Sequence, residues 1–278
     1  MDFVTKPASN YPVAELVSML NRGFEDYFTP IHFTNPLFLN MLHKDGIDLS
    51  ASRVLLADQT ACGIALIAPR GARRVSRLAA MGIAKEIRGK GAGSWFMQEL
   101  VHKACERGER EMVLEVIEQN EPAVKLYQKY GFESVRRLVG YTHGGKNREE
   151  HEKGELHETD LREMGRLISQ YGLSDLPWQL SGESITQMNP PPRAYRAGQA
   201  YIVISNPEAE HLVIWSLLVK PEARGNGLGT KMLKQVIANW EGKLWHVPAL
   251  CPEEFQNVFE KAGFERETLS QWQMKLDL

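Results

Sequence analysis

Cysteine is scarce in this chain of 278 residues: Cys62, Cys105 and Cys251 stand far apart, with no CxxC pair and no Cys/His cluster. That excludes a disulfide-stapled miniprotein and argues against a structural zinc site. The expected compartment is reducing and cytoplasmic. Long apolar runs are missing as well. The longest strongly apolar stretch, Cys62 to Ala68, is far too short to span a membrane, and the N-terminus MDFVTKPASN lacks a basic start followed by an apolar run. Neither a membrane association nor a secretion signal is expected. A basic excess is absent too: 33 Lys and Arg face 35 Asp and Glu, with 18 against 16 over residues 1–145 and 15 against 19 over the remainder. A nucleic-acid partner is therefore not expected, and the local cluster Arg70, Arg73, Arg74 and Arg77 reads as a solvated strand or loop edge. What is present is ordinary for a soluble globular protein, 43% apolar and 24% charged, in a length that suits two domains.

The chain repeats itself. Arg88-Gly89-Lys90-Gly91-Ala92-Gly93 recurs as Arg224-Gly225-Asn226-Gly227-Leu228-Gly229, an offset of 136 residues (224 minus 88). Each copy is followed by a helical apolar face: Phe96, Met97, Leu100, Val101 and Ala104 in one, Met232, Leu233, Val236, Ile237 and Trp240 in the other. A second anchor follows each helix. Tyr127-Gln-Lys-Tyr-Gly131-Phe132 matches Phe259-Glu-Lys-Ala-Gly263-Phe264, an offset of 132 (259 minus 127). Two copies of one fold are expected, residues 1–145 and residues 146–278, joined through the polar stretch Thr142 to Glu158, with its Gly pair and many charges. Part of that stretch, near Leu156, is an alternative first strand of the second lobe.

In the first lobe the patterning predicts helices over Val13 to Phe24, Asn35 to about Gly46, Ala92 to Arg107 and Glu121 to Tyr130. It predicts strands over Arg53 to Ala57, Gly63 to Ala68, Arg77 to Ala84, Met112 to Ile117 and Glu133 to Tyr141. Strands alternating with helices indicate an α/β or α+β lobe. Three alternating glycines immediately before an amphipathic helix let the backbone take positive φ and turn successive amides into one concavity at the positive end of the helix dipole. This is a pyrophosphate cradle, to which Arg88 or Lys90 adds charge. Neither the P-loop nor the dinucleotide fingerprint fits, because Ser94 and Thr230 fall at the wrong place and the spacing is GxGxG.

The pattern that does fit, R-x-x-G-x-G after an apolar strand and before an amphipathic helix, resembles the coenzyme A loop of the GNAT superfamily of N-acetyltransferases. Leu114-Glu115-Val116, Asn120, Ala123, Leu126-Tyr127 and Gly131-Phe132 are similar to the branch of that family containing the ribosomal-protein N-terminal acetyltransferases. The resemblance covers about residues 50–141, and the second lobe matches at its loop, helix and final Gly-Phe. It implies an α+β fold of two tandem lobes, each a twisted, mostly antiparallel sheet with flanking helices and two central strands splayed to admit acetyl-coenzyme A. It also implies that the backbone of Ile83 and Ala84 contacts the acyl-pantetheine arm. The pyrophosphate would sit on the loop Arg88, Gly89, Lys90, Gly91, Ala92, Gly93 and Ser94, with further coenzyme contact from Asn120. In that family the position of Tyr127 is the usual general acid.

The chemistry needs a proton taken from an alkylammonium of pKa about 10 and one given to the departing thiolate. Glu115, alone among apolar neighbours on its strand, is the candidate base, with a strand-face ion pair as the alternative. Tyr127 is the candidate acid, and a backbone N–H at Ile83 or Ala84 the oxyanion donor. Counted back from the Gly-Phe pair, Phe259, Pro252 and Val247 stand opposite Tyr127, Asn120 and Glu115. The second lobe is thus expected to be degenerate, with Cys251 and His246 in buried structural roles. The segment Phe24 to His32, rich in aromatics and acids, is the candidate wall for a small-molecule or peptide amine, with Tyr141 and His143 as weaker candidates. The expected activity is acetyl-coenzyme A-dependent N-acetylation in the first lobe of a monomer or homodimer. The rival is a non-catalytic acyl-coenzyme A sensor.

Overall fold

The computed structural model describes residues 1–144 and 153–278, so the middle of the expected linker lies outside the described residues. The chain forms two compact units, Met1–Val135 with Trp272–Leu278, and Arg136–Gln271.

The first unit runs β1 (Phe3–Pro7), α1 (Val13–Gly23), α2 (Asn35–Asp45), β2 (Arg53–Ala57), β3 (Thr60–Arg70), β4 (Val75–Ile83), α3 (Ala92–Glu106), β5 (Glu111–Ile117) and α4 (Glu121–Lys129). Its strands stand in the order β1-β2-β3-β4-β5. All neighbours are antiparallel except β4 and β5, which are parallel. The β4–β5 ladder covers Val75↔Glu111, Ser76↔Met112 and Arg77↔Val113, after which both strands run on, to Ile83 and Ile117. This is the splay the resemblance implies. Polar caps punctuate the helices. The Thr34 side chain accepts from the Leu37 amide ahead of α2, and Asn120 accepts from the Ala123 amide ahead of α4. The core joins Leu55 and Ile67 of the sheet, Phe96, Met97 and Leu100 of α3, Leu114 and Val116 of β5, and Tyr127 of α4. Strand β1 was not expected: its alternating burial is that of a strand with one inward face, too short to stand out among polar neighbours.

The second unit begins within β6 (Glu133–His143) and continues through β7 (His157–Thr159), α5 (Leu161–Tyr171), α6 (Gly182–Thr186), β8 (Arg193–Ala197), β9 (Ala200–Ile204), β10 (His211–Val219), α7 (Leu228–Asn239), β11 (Leu244–Pro252), α8 (Gln256–Glu260) and β12 (Glu265–Asp277). The order is β6-β11-β10-β9-β8-β7. The parallel pair here is β10 with β11, laddered over His211↔Leu244, Leu212↔Trp245 and Val213↔His246 before the strands part. Helix α7 packs Met232, Leu233, Val236 and Ile237 on this sheet.

The compact units differ from a division at residue 145. The strand after each Gly-Phe pair changes unit. From Arg136 onward β6 belongs to the second unit, where it pairs antiparallel with β11 and buries Val139 and Tyr141. The last residues of β12 belong to the first unit, where Met274 is fully buried and the Leu278 amide donates to the Arg110 carbonyl at 2.9 Å. Strand pairing and side-chain burial set the boundary, not the polar composition of the join. Two residues of the expected linker, Thr142 and His143, are in β6.

Candidate functional site

In the first unit the Gly-rich loop follows β4. Gly89 and Gly91 sit at φ 76° and 82°, and Gly91 is the residue before the first turn of α3. A side chain would be strained at both positions. The amides of the first helical turn, Ala92, Gly93 and Ser94, have no intrahelical acceptors and lie at the positive helix end. Lys129 adds the cation: its Nζ donates to Ser94 Oγ at 2.8 Å, and Tyr130 Oη donates to the Ser94 carbonyl. Neither residue was singled out from the sequence. Their signal is the Lys-Tyr step just before Gly131, which brings the end of α4 against the start of α3. The residues present therefore fit a diphosphate. Arg88, expected to add charge here, is engaged by the backbone. Its guanidinium donates to the carbonyls of Ile83 and Gly23, both at 2.9 Å, and ties β4 to the end of α1. Lys90 is exposed on the loop.

The repeat builds the same loop in the second unit. Gly225 and Gly227 lie at φ 81° and 71°, and Arg224 donates to the carbonyls of Val219 and Tyr171. The first residue of R-x-x-G-x-G is thus a clamp in both copies.

Of the two amides expected to face an acyl carbonyl, that of Ala84 donates to the Cys62 carbonyl at 2.8 Å, which leaves Ile83 as the candidate. Against this strand end α1 comes unusually close: a Cβ on Gly23 would stand 2.7 Å from the Cα of Gly82. That approach, open only to glycine, starts the segment after α1 at the end of β4. The segment is pinned at its far end by Asn21, which donates to the Phe33 carbonyl at 2.9 Å and accepts from the Phe33 amide at 2.8 Å. Ion pairs from Lys85 to Asp26 (2.7 Å) and from Arg22 to Glu86 (2.6 Å) hold its near side. Phe24 packs edge-on to Tyr27 at 4.9 Å. A cavity of about 540 Å³ opens within it, lined by Asn21, Phe24, Glu25, Asp26, Tyr27 and His32 among others.

Tyr27 is the residue the sequence did not single out within that segment. Its hydroxyl is hydrogen-bonded to the Asn120 side chain, and burial raises its pKa. Tyr127 stands close enough that Tyr27 adds to the upward shift of its pKa, which burial dominates. The phenol of Tyr127 is 9% exposed and packs on Phe132 at 5.8 Å. The structure therefore brings Tyr127, Asn120 and Tyr27 together at the carboxyl end of β5.

It takes Glu115 away from that group. Alternation along β5 puts Leu114 and Val116 in the core with Tyr127, and Glu115 on the opposite face. There its carboxylate accepts from Arg77 Nε at 2.7 Å, and Arg77 also reaches Asp45 at 3.3 Å; the Glu115 and Arg77 side chains are 3% and 6% exposed. With its carboxylate on the guanidinium and on the face away from Tyr127, Glu115 fits the strand-face ion pair and not the general-base reading. The sign of the neighbour decides this, and Arg77 is far away in sequence.

In the second unit Phe259 is buried and stacks on Tyr141 at 4.8 Å with an 11° interplanar angle. Among the described residues, the Tyr141 hydroxyl has no partner within hydrogen-bonding distance. His143 packs on Phe264, and His246 stands 3.4 Å from Glu267. Burial pushes the Cys251 thiol up to about 12, so it stays protonated. Between the parted strands β10 and β11 lies a cavity of about 480 Å³, with the Gly225–Gly227 loop among its lining residues. Among the described residues, no helix is long and apolar enough to cross a membrane.

Comparison with known proteins agrees with the repeat. Residues 14–132 match the acetyltransferase (GNAT) family, and residues 194–266 match an acetyltransferase (GNAT) domain. No curated protein sequence matches the chain. Among solved structures, a GCN5-related N-acetyltransferase from Sphaerobacter thermophilus is 14% identical with a TM-score of 0.67, over 99% of this chain and 95% of that one. A tandem GNAT protein from the clavulanic acid biosynthesis pathway is 14% identical at 0.66, over 99% and 98%. A GCN5-related N-acetyltransferase from Anabaena variabilis is 19% identical at 0.63, over 98% and 72%.

Proposed function

The chain belongs to the GNAT family of acetyltransferases, two of whose domains it carries in tandem, and from that premise we propose that its first lobe moves an acetyl group from acetyl-coenzyme A onto a primary amine by direct attack. The family in general performs acetyl-coenzyme A-dependent acyl transfer. The observation that carries the finer reading is the grouping of Tyr127, Tyr27 and Asn120 beside a glycine loop with free helix-start amides.

The bound co-substrate supplies an activated acetyl thioester; the rest is done by the chain. The α3 amides and Lys129 hold the diphosphate. The splayed β4 edge aligns the thioester arm, and the Ile83 amide faces its carbonyl oxygen. The amine attacks the carbonyl carbon, a C–N bond forms and the C–S bond breaks. Tyr127 gives its phenolic proton to the departing sulfur and recovers it from solvent through Tyr27. With Glu115 paired to Arg77, the ammonium sheds one proton to solvent, its neutral fraction attacks, and the nitrogen gives its second proton to solvent as the C–S bond breaks. Glu25 and Asp26 at the mouth attract the cationic acceptor. The exposed Phe28 and Ile31 nearby suit an acceptor with apolar surface. A peptide N-terminus fits both, and the string from Leu114 to Phe132 supports it; a small amine is the other class.

The test is Tyr127→Phe. Turnover is expected to fall about 10²–10⁴-fold while acetyl-coenzyme A still binds in a calorimetric titration. Near-normal turnover would remove Tyr127 from the mechanism. Turnover already absent from the wild type across a screen of amines and peptide N-termini, with binding intact, would favour a non-catalytic sensor. The second lobe's cavity is the observation behind that alternative.

A further inference from the structure

The 480 Å³ cavity of the second unit is lined by residues from Ile168 to Lys261, and the only charged side chains among them are Arg224 and Lys261. Arg224 belongs to the glycine loop, and Lys261 follows α8 in the position that Lys129 holds in the other copy. The opposite sides of the cavity are hydrocarbon. Leu173, Leu176 and Leu180 come from the segment after α5, Trp215 and Leu217 from β10, and Leu250 from β11. Among the described residues, no carboxylate lines it. An ammonium group entering this space would find no counter-charge, so the cavity does not suit an amine acceptor. A molecule anionic at one end and apolar at the other does suit it.

We infer that the second lobe binds an acyl-coenzyme A whose acyl chain is several carbons longer than acetyl, and that it holds this thioester without transferring the acyl group. The two segments that follow the first helix of each lobe carry the argument. Arg88 clamps the Gly23 carbonyl, and Arg224 clamps that of Tyr171, so the stretches after Gly23 and Tyr171 correspond. In the first lobe this stretch brings Glu25, Asp26 and a tyrosine that is hydrogen-bonded to Asn120. In the second it brings three leucines into the cavity. The loop amides and positive-φ glycines for the phosphates are kept, whereas the phenol and the amide are replaced by Phe259 and Pro252. The phenol that would protonate a leaving thiolate in the first copy has no counterpart at Phe259. The Cys251 thiol, held protonated, does not exchange with a thioester. The inference stands whether or not the first lobe turns over, because it concerns a different cavity.

Calorimetric titration of the full-length protein tests it, with coenzyme A, acetyl-coenzyme A and octanoyl-coenzyme A as probes. Burying one methylene is worth about fourfold in affinity, so octanoyl-coenzyme A is expected to bind the second lobe at least about a hundredfold more tightly than acetyl-coenzyme A. Leu176→Glu, and independently Leu173→Glu at the exposed rim, are expected to erase that preference and leave coenzyme A binding at this site unchanged. Gly91→Val, which strains the first loop, isolates the second site. Should that variant misfold, wild type against the two leucine variants gives the same answer. Equal affinity for the acetyl and octanoyl thioesters would overturn the chain-length assignment. A preference that survives both leucine variants would place the long chain elsewhere and overturn it too. A single site abolished by Gly91→Val in folded protein would overturn binding in the second lobe altogether. Failure of the first-lobe reading shows itself separately, as absent turnover.

Discussion

The two lobes share a loop and differ in what they build around it. Both copies hold their glycines at positive φ, both use the leading arginine as a clamp on two backbone carbonyls, and both part a parallel strand pair after three laddered residue pairs. These are backbone properties, and they survive divergence because glycine and strand geometry leave few substitutes. The side chains in the opening obey no such constraint. The first lobe fills its opening with Tyr27 and surrounds it with acids; the second leaves an apolar cavity. The comparison teaches that phosphate binding and chemistry are separable parts of this fold.

The largest effect expected of any change that sharpens the contrast comes from the C-terminus. Deleting Trp272–Leu278 removes the fully buried Met274 and its neighbours from the first core. Loss of one buried Met side chain alone costs about 2–5 kcal/mol, against a typical total of about 5–15. The deleted protein is expected to lose acetyl transfer and to be cleaved by protease within residues 1–135, with residues 136–271 more resistant. A protein that stays active would show the exchanged strand to be dispensable.

Glu115→Gln comes next. It leaves Arg77 with a weaker partner inside the protein and is expected to lower stability by about 3 kcal/mol in a urea titration. Turnover of the folded fraction should stay within about threefold of wild type. A loss of a hundredfold at unchanged stability would restore Glu115 as the base.

The pH profile separates acid from base. Burial raises the folded pKa of Tyr127 above the ordinary phenol value of 10.0, so the proton is retained below that value and its stabilising contribution is lost only as pH climbs from there toward the folded pKa. The rate is expected to rise with pH as the amine is deprotonated and not to turn down before about pH 10. A descending limb near neutrality would mean that another group is the acid. The smallest effect belongs to Asp26→Asn, which weakens the exposed pair with Lys85. The pair holds the Asp26 carboxyl below its usual range, so what it contributes is present above the ordinary carboxylate pKa and fades as pH falls through the lowered one. The expected change is a few-fold rise in the acceptor KM with stability almost unmoved.

Much of the scaffold was legible in the chain because it depends on local spacing. Asn35 and Gly46 bracket α2, and Ala92 follows the last left-handed glycine. The 3.6-residue period of Phe96, Met97, Leu100 and Ala104 gave the buried face of α3. The loop was legible for the same reason. Within the candidate site, the place of Tyr127 at the carboxyl end of β5 was legible, because it follows from local spacing along β5 and α4. The Glu115 contact was not legible because its partner Arg77 lies on a neighbouring strand, nor was the Arg88 clamp, because a cation beside a phosphate loop has carbonyls as well as phosphates to bind. Tyr27 and Lys129 stayed hidden in an aromatic segment and a charged helix end. The change of unit after each Gly-Phe pair was not readable from patterning, since a strand looks the same whichever sheet it joins.

That change of unit has a consequence for how the protein is made. The ribosome releases residues 1–135 first, yet the first core takes Met274, which follows the whole of the second unit. Sequential folding of domains as they emerge is the usual economy of multidomain synthesis. Here the second unit has every strand it needs once Gln271 is out, while the earlier-made half waits with apolar surface uncovered. The half that emerges first is completed only after the second unit has emerged, and until then its core keeps apolar surface open to aggregation.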